Sequence, residues 1–558
     1  MITIADYLTR FLYECGVTHI FGVSGANIED CIDSVIASKL PIKFVLAKHE
    51  FNAACMADGY SRINRRLGVV YATSGGSQLN LIPALAESYA SQQPVLAILG
   101  MPVTNLAGKG AFQDASGLNG SLNGEALFSL LASKYFHCLT SADEFATQLK
   151  NAVKAALSPP CGTAILMIPK ELQQQKISSV SVACPDSISP AELFKPDERL
   201  YDLCLAAKGK TLVILGEEVR RQNLEQEFLS VVERLNAYVA VVPEAKADYD
   251  NTNPRFVGVS GVAGHQSVIE TANQVKTIFI LGSRLQLMAR FGLEPYLQSR
   301  QVVYLNESPP AFDIAAAQQN GFIQDHHLKQ CLTWLAETLP VSVEPLLHPR
   351  QVRYEPIRYL DNSRTSSLNF ESIFQLLDNY IQRTDIVYAD AGNTGGGALH
   401  YLKGGQYFGI ALGMGGMGYA LGASIGSSIR DNTISWCIAG DGAVLMHGME
   451  IHTAIEENLP IRFIILNNNA HAMCYTREHL YLGTTGTFNV FRESRYGQGF
   501  AHLFPGFYSH DVKNIAELEN HLNYLRGYNK PALLSLEVDC KELPPFAPFL
   551  QRLKELKS

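Results

Sequence analysis

The stretch WCIAGDGAVLMHGMEIHTAIEENLPIRFIILNNN, residues 436–469, decides the fold of this chain. It contains two short apolar runs, 436–439 and 462–466, which have the length and composition of strands buried in a parallel sheet. The segment between them, from about Leu445 to Asn458, is compatible with a helix. Strand, helix and strand in succession form the unit from which parallel sheets are built, so the stretch predicts an α/β layered fold.

Polar clusters follow both predicted strands at the point where each one ends. Gly440, Asp441 and Gly442 come directly after the first strand, and three asparagines at 467–469 come after the second. The carboxyl ends of neighbouring parallel strands are where such sheets bind ligands. A carboxylate, a side-chain amide and a backbone carbonyl are all oxygen ligands, which suit Mg²⁺ completed by water and phosphate oxygens. Gly-Asp-Gly alone is better interpreted as an ordinary turn, but the second cluster favours a metal and phosphate site.

The rest of the chain repeats this alternation of strand and helix. Further short apolar runs are found at 67–72, 95–99, 211–215, 277–281, 301–305, 386–389 and 533–538. Two stretches that contain proline near 175–198 and 339–356 are typical of linkers. The pattern therefore predicts three α/β units, each a mostly parallel sheet flanked by helices.

Length, composition and charge exclude several classes of protein. The 558 residues are 47% hydrophobic and 18% charged, which is a globular composition with material for several cores. The formal net charge is −8 and no stretch is strongly basic, so a nucleic-acid role has no electrostatic support. No apolar run approaches the roughly 20 residues that span a bilayer. We therefore expect neither nucleic acid nor membrane among the partners.

The N-terminus and the cysteines bear on the cellular location. The first residues lack a basic segment followed by an apolar core, so no signal peptide is indicated. The eleven cysteines are scattered without a C-x-x-C pair, which is typical of reduced, buried thiols. These observations predict a cytoplasmic protein rather than a disulfide scaffold.

With these features the sequence resembles the thiamine-diphosphate-dependent enzymes of the acetolactate synthase, pyruvate oxidase and pyruvate decarboxylase group, and most closely the carboligases like acetolactate synthase. The motif of that family is Gly-Asp-Gly, a spacer and Asn-Asn. The resemblance implies thiamine diphosphate and Mg²⁺ as cofactors, with the metal held by Asp441, Asn468 and the backbone carbonyl of Ala470. It extends over essentially the whole chain. The implied domains are a pyrimidine-binding domain at 1–180, a central Rossmann-like domain at 190–342 and a diphosphate-binding domain at 357–558.

A segment near the N-terminus carries the residue that activates the cofactor in this family. Residues 47–54 resemble the segment around the family's glutamate, which falls on Glu50. The resemblance implies that this carboxylate hydrogen-bonds N1′ of the aminopyrimidine and so promotes loss of the C2 proton of the cofactor. We therefore expect Glu50 to be buried. Taken alone, His49 and Glu50 are a polar pair at a strand end, for which a structural role is the simpler interpretation.

Glycine-rich segments supply the other implied contacts with the cofactor, although each is also a common strand-to-helix turn. The turn at 73–80 resembles the family's turn near the pyrimidine and carries Ser74 and Gly75. In the segment 413–419, Met417 would separate the two rings of the cofactor, and the carbonyl of Gly415 would accept from its 4′-amino group. The residues implied around the diphosphate are Asn393, Thr394, Gly440, Asp441, Gly442, Ala443 and Asn468.

The predicted reaction depends on residues 111–114, Ala-Phe-Gln-Asp. Pyruvate decarboxylases carry a His-His pair in this region, whereas the stretch resembles the Phe-Gln-Glu segment of acetolactate synthases, so Gln113 is expected to contact the substrate. We predict a carboligase that decarboxylates a 2-oxo acid such as pyruvate and transfers the acyl group to an aldehyde or oxo-acid acceptor. A decarboxylase that releases an aldehyde and a non-catalytic cofactor-binding homologue are the alternatives. Residues 473–478 depart from the acetolactate synthase pattern, which favours an acceptor other than that of true synthases.

Two further expectations concern FAD and the assembly. The strand ending at Leu215 is followed by Gly216, Glu217 and Glu218, without a glycine-rich phosphate loop. Two carboxylates at this point would repel a pyrophosphate, which disfavours FAD without excluding it. The family places each cofactor between two subunits, so the resemblance implies a homodimer or a homotetramer.

Overall fold

The computed structural model describes residues 1–178, 182–185, 194–341, 351–361, 363, 366–405, 407–483 and 488–557. Over these ranges the chain forms three six-stranded sheets, and every strand pair within them is parallel. Helices connect the strands and flank the sheets. The predicted α/β fold with three parallel sheets is confirmed.

The first helix of the N-terminal domain begins directly after Thr3. Thr3 caps it, because its hydroxyl accepts a hydrogen bond from the backbone N–H of Asp6 at 3.1 Å. The strands are β1 (Ile2–Thr3), β2 (His19–Gly22), β3 (Lys43–Leu46), β4 (Gly68–Ala72), β5 (Val95–Met101), β6 (Tyr135–Cys138), β7 (Thr163–Pro169) and β8 (Lys176–Ile177). The helices are α1 (Ile4–Glu14), α2 (Glu29–Ala37), α3 (Glu50–Asn64), α4 (Gly76–Ala90), α5 (Gly124–Ser129), α6 (Phe145–Leu157) and α7 (Lys170–Gln173). The sheet has the order β3-β2-β4-β5-β7-β6, while β1 pairs antiparallel with β8.

The central domain contains strands that coincide with the apolar runs of the sequence. The strands are β9 (Thr211–Leu215), β10 (Tyr238–Val241), β11 (Phe256–Val259), β12 (Thr277–Leu281), β13 (Gln301–Leu305) and β14 (Ile323–Asp325). The helices are α8 (Glu198–Ala207), α9 (Glu217–Arg221), α10 (Glu225–Leu235), α11 (Gln266–Gln274), α12 (Leu287–Arg290), α13 (Glu294–Ser299), α14 (Ile314–Gln318) and α15 (Leu328–Thr338). Its order, β11-β10-β9-β12-β13-β14, is that of the Rossmann fold, as predicted.

The C-terminal domain contains the stretch 436–469. The strands are β15 (Ile386–Ala389), β16 (Tyr407–Ile410), β17 (Ser435–Gly440), β18 (Ile461–Asn467), β19 (Tyr508–Val512) and β20 (Ala532–Glu537). The helices are α16 (Phe370–Leu377), α17 (Asn393–Tyr401), α18 (Tyr419–Ser428), α19 (Asp441–His447), α20 (Ile451–Glu456), α21 (Ala472–Arg477), α22 (Tyr496–Leu503), α23 (Ile515–Leu525) and α24 (Ala547–Lys557). The order β16-β15-β17-β18-β20-β19 repeats that of the N-terminal domain, when the strands of each sheet are numbered along the chain.

The N-terminal and C-terminal domains pack together through the helix pair α3 and α18. A Cβ added to Gly59 would lie 2.3 Å from the carbonyl oxygen of Ala423, and one added to Gly426 would lie 1.9 Å from that of Met56. Since only glycine permits such an approach of two backbones, these positions fix how the domains pack. The N-terminal end of α3, where Glu50 lies, is thereby held against the C-terminal domain.

The helix within the deciding stretch differs from the prediction. It was expected from about Leu445 to Asn458, but α19 begins at Asp441, and a 3₁₀ turn at Gly448–Glu450 separates it from α20. The Gly-Asp-Gly motif therefore lies at a helix N-terminus, where backbone N–H groups are free of partners within the helix. Side-chain periodicity does not show this start, because the first turn is made of glycine, alanine and the aspartate.

The prediction that the cysteines are reduced is wrong for one pair. Cys15 and Cys184 form a disulfide bond, with their Cα atoms 4.9 Å apart and a sequence separation of 169, while the other nine cysteines are free. Spacing along the chain gives no signal for this pair, because the fold brings the end of α1 to the segment after the first sheet. Parts of both predicted linkers, 179–181, 186–193 and 342–350, lie outside the described residues.

In the part of the chain that the structure describes, no helix is long and apolar enough to cross a membrane.

Candidate active site

A cavity of about 190 Å³ opens where β15, β17 and β18 end. These strands are neighbours in the sheet, so the turns that follow them face one another. Many of the residues predicted to bind the cofactor or metal line this cavity. They are Asn393, Thr394, Met417, Gly440, Asp441, Gly442, Ala443, Asn468 and Ala470.

Asp441 is the first residue of α19 and is only 2% exposed. One of its carboxylate oxygens accepts from the N–H of Gly442 at 3.0 Å, and the other accepts from the N–H of Ala470 at 3.1 Å. Burial raises the pKa of this carboxyl to about 6, against the lowering effect of the backbone N–H groups. A bound cation would strongly stabilise the ionised form of a carboxyl group that is shielded from water in this way.

The three asparagines after β18 have different surroundings. Asn467 donates to the carbonyl of Ser494 at 2.8 Å, and Asn469 accepts from the N–H of the same serine at 2.9 Å. Asn468 is the one that lines the cavity, and its side-chain oxygen accepts from the N–H of Ala470 at 3.0 Å. Asp441 and Asn468 thus share one N–H donor, which brings their oxygens to the same place at the edge of the sheet.

The chemistry of these oxygens fits Mg²⁺. Asp441, Asn468 and the carbonyl of Ala470 offer one carboxylate, one amide and one backbone oxygen, which leaves room in an octahedral shell for water and phosphate. Across the described ranges, no group of three or more His, Cys, Asp or Glu side chains could hold a metal ion. A metal at this cavity would therefore be bound by a mixed set of carboxylate, amide and backbone oxygens.

The loop after β15 forms the opposite wall of the cavity. Gly392 has a φ of +96°, and nothing lies within 4 Å of a Cβ built on it, so conformation rather than space requires the glycine. The Oδ1 atom of Asn393 is buried without a hydrogen-bond partner. The Thr394 hydroxyl faces Gly440, at 3.4 Å from a Cβ built there. An unpaired buried amide oxygen is costly and accepts without donating, so it fits a ligand that presents a hydrogen-bond donor or a cation. The hydroxyl of Thr394 is the side-chain group here that can donate to a phosphate oxygen.

The loop between β16 and α18 carries Met417 to the cavity. Gly415 and Gly418 both have left-handed backbone conformations, with φ of +68° and +90°. A Cβ on Gly418 would lie 2.5 Å from the ring of His447, whereas nothing lies within 4 Å of one on Gly415. Gly415 is in this loop but is not among the residues that line the cavity.

Glu50 is the first residue of α3 and is buried, as expected, with 9% exposure. The side chain of Asn80 on α4 donates to its Oε2 at 2.8 Å. The next residue, Phe51, stacks on His447 with 4.2 Å between ring centroids. Glu50 is therefore fixed between two helices of the N-terminal domain, close to the seam with the C-terminal domain.

The other three predicted residues of the N-terminal domain lie together. They are Ser74, Gly75 and Gln113. The Ser74 hydroxyl donates to Oε1 of Gln113 at 3.4 Å and accepts from the side chain of Asn27 at 2.6 Å. Gly75 has a φ of +70°, and a Cβ on it would lie 2.8 Å from that of Gln113. The glycine thus lets Gln113 pack directly on the turn.

The two groups of predicted residues do not share one cavity within this chain. As far as the chain is described, the residues lining the cavity at the C-terminal sheet all come from residues 390–474. Glu50, Ser74, Gly75 and Gln113 are not among them. The chain therefore presents two separate half-sites, one in each of the outer domains.

Sequence reasoning left some residues of the site unassigned. Asp390 directly follows β15, as Asp441 directly follows β17, and this position after a strand could have identified Asp390. Glu87 lies inside α4, where the sequence pattern does not distinguish it from other polar helix residues. His447 and His471 are both close to the Gly-Asp-Gly motif in sequence, and only the structure shows that their surroundings differ. His471 lines the cavity, whereas His447 packs on Phe51, and burial lowers the pKa of His447 to about 4.

Acidic side chains follow two strands of the central domain. Glu218 after β9 is buried and ion-paired with Arg221, and burial raises its pKa to about 7. Glu218 lines a cavity of about 600 Å³ together with Glu244, which follows β10, and burial raises the pKa of Glu244 as well. The guanidinium of Arg220 is 3.6 Å from a carboxylate oxygen of Asp248. Both arginines are thus engaged by acidic groups.

Family models of the thiamine pyrophosphate enzymes match three successive parts of the chain. Thiamine pyrophosphate is another name for thiamine diphosphate. The model of the N-terminal binding domain matches residues 2–119, that of the central domain matches 200–327, and that of the C-terminal binding domain matches 390–536. Together they cover well over half of the chain in the predicted order.

Curated relatives are similar over nearly their whole length. An acetolactate synthase large subunit from Buchnera aphidicola is 24% identical over 84% of this chain and 82% of the relative. A probable acetolactate synthase large subunit from Methanocaldococcus jannaschii is 23% identical over 98% of this chain and 93% of its own. The large subunit of acetolactate synthase isozyme 3 from Escherichia coli is 24% identical over 94% and 92%.

Three domain models of one enzyme family match this chain in order, and the cavity lies in the part matched by the C-terminal binding domain. The chain therefore belongs to the thiamine pyrophosphate-dependent enzymes, among which it is acetolactate-synthase-like.

Proposed function

We propose that this enzyme is a carboligase that decarboxylates a 2-oxo acid such as pyruvate and transfers the acyl group to an aldehyde or a second oxo acid. The observation that carries the proposal is the contact of Gln113 with Ser74 at the pyrimidine half-site. A glutamine amide does not act as a proton donor at neutral pH, unlike the histidine pair of decarboxylases. Without proton transfer at this point, attack on a second carbonyl is favoured over release of an aldehyde.

Thiamine diphosphate, when bound, supplies the carbanion chemistry, and the protein supplies binding and orientation. We assign Asp441, Asn468 and the carbonyl of Ala470 to Mg²⁺, which is supported by their shared position at one cavity. The diphosphate is assigned to residues on both walls, namely Asn393, Thr394, Gly440, Gly442 and Ala443. The role of Glu50 in this scheme is to hold a proton at N1′ of the pyrimidine, which its burial beside Asn80 supports.

The active enzyme is proposed to be at least a homodimer, with a homotetramer as the larger alternative. The cavity in the C-terminal domain is lined by residues of that domain alone, within the described ranges, and Glu50 lies elsewhere. A second copy would bring its pyrimidine half-site to this cavity. The domains are proposed to extend over 1–180, 190–342 and 357–558.

The carboxylates of Glu218 and Glu244 at the strand ends of the central domain disfavour FAD in the proposed enzyme without excluding it. We also propose a cytoplasmic location, which the nine free cysteines support and the bond between Cys15 and Cys184 does not.

A 2-oxo acid decarboxylase is the second candidate, and one observation favours it. His471 lines the cavity, where its Nδ1 lies 2.9 Å from a Cβ built on Gly442. A histidine at this place is able to supply a proton to the reacting carbon. His471→Phe separates the two candidates, because it should suppress aldehyde release in a decarboxylase and leave transfer in a carboligase.

Product analysis by mass spectrometry tests the proposal. Purified protein is incubated with Mg²⁺, thiamine diphosphate and pyruvate, with and without a panel of aldehydes and oxo acids, and Glu50→Gln serves as the inactive control. A hydroxyketone that depends on the acceptor supports the carboligase. Free acetaldehyde as the sole product, in amounts that fall in His471→Phe, would replace it with the decarboxylase.

A further inference from the structure

Glu87 reaches from the N-terminal domain to the loop that carries Met417 and Gly415. It lies in the last full turn of α4 and is 2% exposed. Its Oε2 accepts from the N–H of Met414 at 2.6 Å and from that of Gly415 at 3.4 Å, and its Oε1 accepts from Gly413 at 3.2 Å. One buried carboxylate therefore receives three successive backbone N–H groups of a different domain.

The loop lies directly on the last turns of α4 at this point. A Cβ added to Gly413 would lie 2.6 Å from that of Ala90, so there is no space for a larger residue. Hydrogen bonds to an ionised acceptor that is shielded from water are stronger than those between neutral groups. Only a carboxylate offers two oxygens that accept without donating, which is what three converging N–H groups require.

A second buried carboxylate holds the other end of the loop. Asp390 is 1% exposed and accepts from the N–H of Gly418 at 2.7 Å and from that of Ala420 at 3.1 Å. Met417 lies between the two attachment points and lines the cavity. The loop is thus fixed at both ends, from within its own domain by Asp390 and from the N-terminal domain by Glu87.

We propose that Glu87 is a positioning residue for catalysis, which fixes the backbone of residues 413–415 so that Gly415 and Met417 present the correct geometry to the pyrimidine end of the cofactor. This inference depends on the proposed function of the loop. The left-handed conformation of Gly415 follows directly after the strongest of the three bonds, at Met414. Loss of the carboxylate leaves these N–H groups without an acceptor and lets the loop adopt other conformations.

Helix α4 gives this role a second consequence. Asn80, which holds Glu50, and Glu87 are seven residues apart, which places them two turns apart on the same face of the helix. The same rigid element therefore supports the activating glutamate and the loop that shapes the cofactor. If the active site forms between two copies, each α4 contributes to two different active sites.

The test compares two properties of the purified full-length enzyme loaded with Mg²⁺ and thiamine diphosphate. The first is the Kd of the cofactor, and the second is the rate of H/D exchange at its C2 atom, followed by NMR after acid quenching. In Glu87→Gln, an amide N–H₂ replaces one acceptor oxygen and meets the loop N–H groups. Exchange should slow by about tenfold or more, while Kd changes less than about threefold, because the metal and diphosphate end anchors binding.

Ser91→Ala is the matched control, because its hydroxyl donates to Oε1 of Glu87 at 2.7 Å without contacting the loop. It should leave exchange within about twofold of wild type. If Glu87→Gln fails to fold, Glu87→Asp keeps the buried charge but withdraws it by one methylene, and it should show the same slower exchange to a smaller extent.

Wild-type exchange in a glutamine variant with normal Kd overturns the positioning role. A parallel loss of exchange, cofactor binding and thermal stability also overturns it, since that pattern describes a purely structural residue. Failure of the proposed function has a different result, in which the wild-type protein itself binds no thiamine diphosphate or exchanges its C2 proton no faster than free cofactor.

Discussion

The two outer domains have sheets of the same strand order, yet they contribute to the site in different ways. In the C-terminal domain, the ends of three neighbouring strands form one cavity that brings together most of the predicted ligands. In the N-terminal domain, Glu50 and Gln113 are held by Asn80 and Ser74 but do not line that cavity. Under the proposed function, the C-terminal sheet alone would bind the metal and diphosphate end of the cofactor. The activating Glu50 would act from a separate surface.

The two half-sites also differ in what surrounds their buried carboxylates. Asp441 is buried, and desolvation raises its pKa to about 6. Glu50 is also buried, and the side-chain amide of Asn80 donates to its Oε2. A bound cation would stabilise the first carboxylate, whereas a neutral hydrogen-bond donor holds the second.

The largest expected effect comes from removing the activating group of the N-terminal half-site. Glu50→Gln should reduce turnover and C2 exchange by about a thousandfold, because the amide cannot hold the proton at N1′. Folding should be spared, since glutamine retains a hydrogen bond with Asn80. Turnover, C2 exchange and thermal unfolding are the measurements. Activity near that of wild type would refute the role given to Glu50.

The next effect tests the metal side of the C-terminal half-site. Asp441→Ala should raise the Kd of thiamine diphosphate more than about a hundredfold in the presence of Mg²⁺. Titrations with and without the metal should differ strongly for wild type and little for the variant. Asn467→Ala is the control, because Asn467 follows the same strand edge but contacts Ser494 instead of the cavity. If Mg²⁺ strengthens cofactor binding equally in Asp441→Ala, the metal is bound elsewhere.

Mixing the two inactive variants tests whether the half-sites come from different copies. In a mixed dimer of Glu50→Gln and Asp441→Ala chains, one site would carry both changes and the other site neither. After random subunit exchange, activity should recover to about a quarter of wild type. Turnover is measured on the mixture after dissociation and reassociation, with each variant alone as control. Absence of recovery, with mixed dimers verified by mass spectrometry, would show that both half-sites belong to one chain.

The smallest effect concerns the seam between the two domains. Burial, with a contribution from His49, depresses the pKa of His447 in the folded protein to about 4. The unfolded chain takes up this proton first, so the stabilising contribution is complete above about pH 6.5 and is lost as the pH falls towards 4. Between pH 7 and 5 we expect wild type to lose about 1 kcal/mol more than His447→Gln, after allowance for solvent screening.

Urea unfolding at the two pH values measures this difference. His452→Gln, on the neighbouring helix α20 and more exposed, is the control and should behave as wild type. An identical pH dependence in wild type and His447→Gln would remove His447 from the seam as a pH-sensitive contact.

Much of the fold was predictable because buried parallel strands are apolar throughout. The bounds of β9, β12 and β13 coincide with the apolar runs of the sequence. Helix α19 was placed too late, because its first turn contains residues that carry no helical periodicity. The pair Cys15 and Cys184 was missed, because no local pattern connects residues so distant along the chain.

The candidate site divides in a similar manner. Asp441 and Asn468 were found because each directly follows a strand, and adjacent parallel strands end at one edge. His447 and His471 were both near the motif in sequence, and only the packing of Phe51 and the direction of the chain after β18 separated them. Their positions depend on side-chain contacts that strand and helix patterns do not encode.

The sequence by itself determined the α/β class, the order of the three domains and the strand ends that form the cofactor cavity. These features depend on short-range patterns, namely apolar runs, glycines at turns and polar residues directly after strands. The tertiary structure decided which distant groups meet. Glu87 holds a loop more than 300 residues further along the chain, and Asn80 holds Glu50. Such contacts arise only when separate helices and domains pack. The sequence around a buried carboxylate in a helix does not indicate which distant residue it will contact.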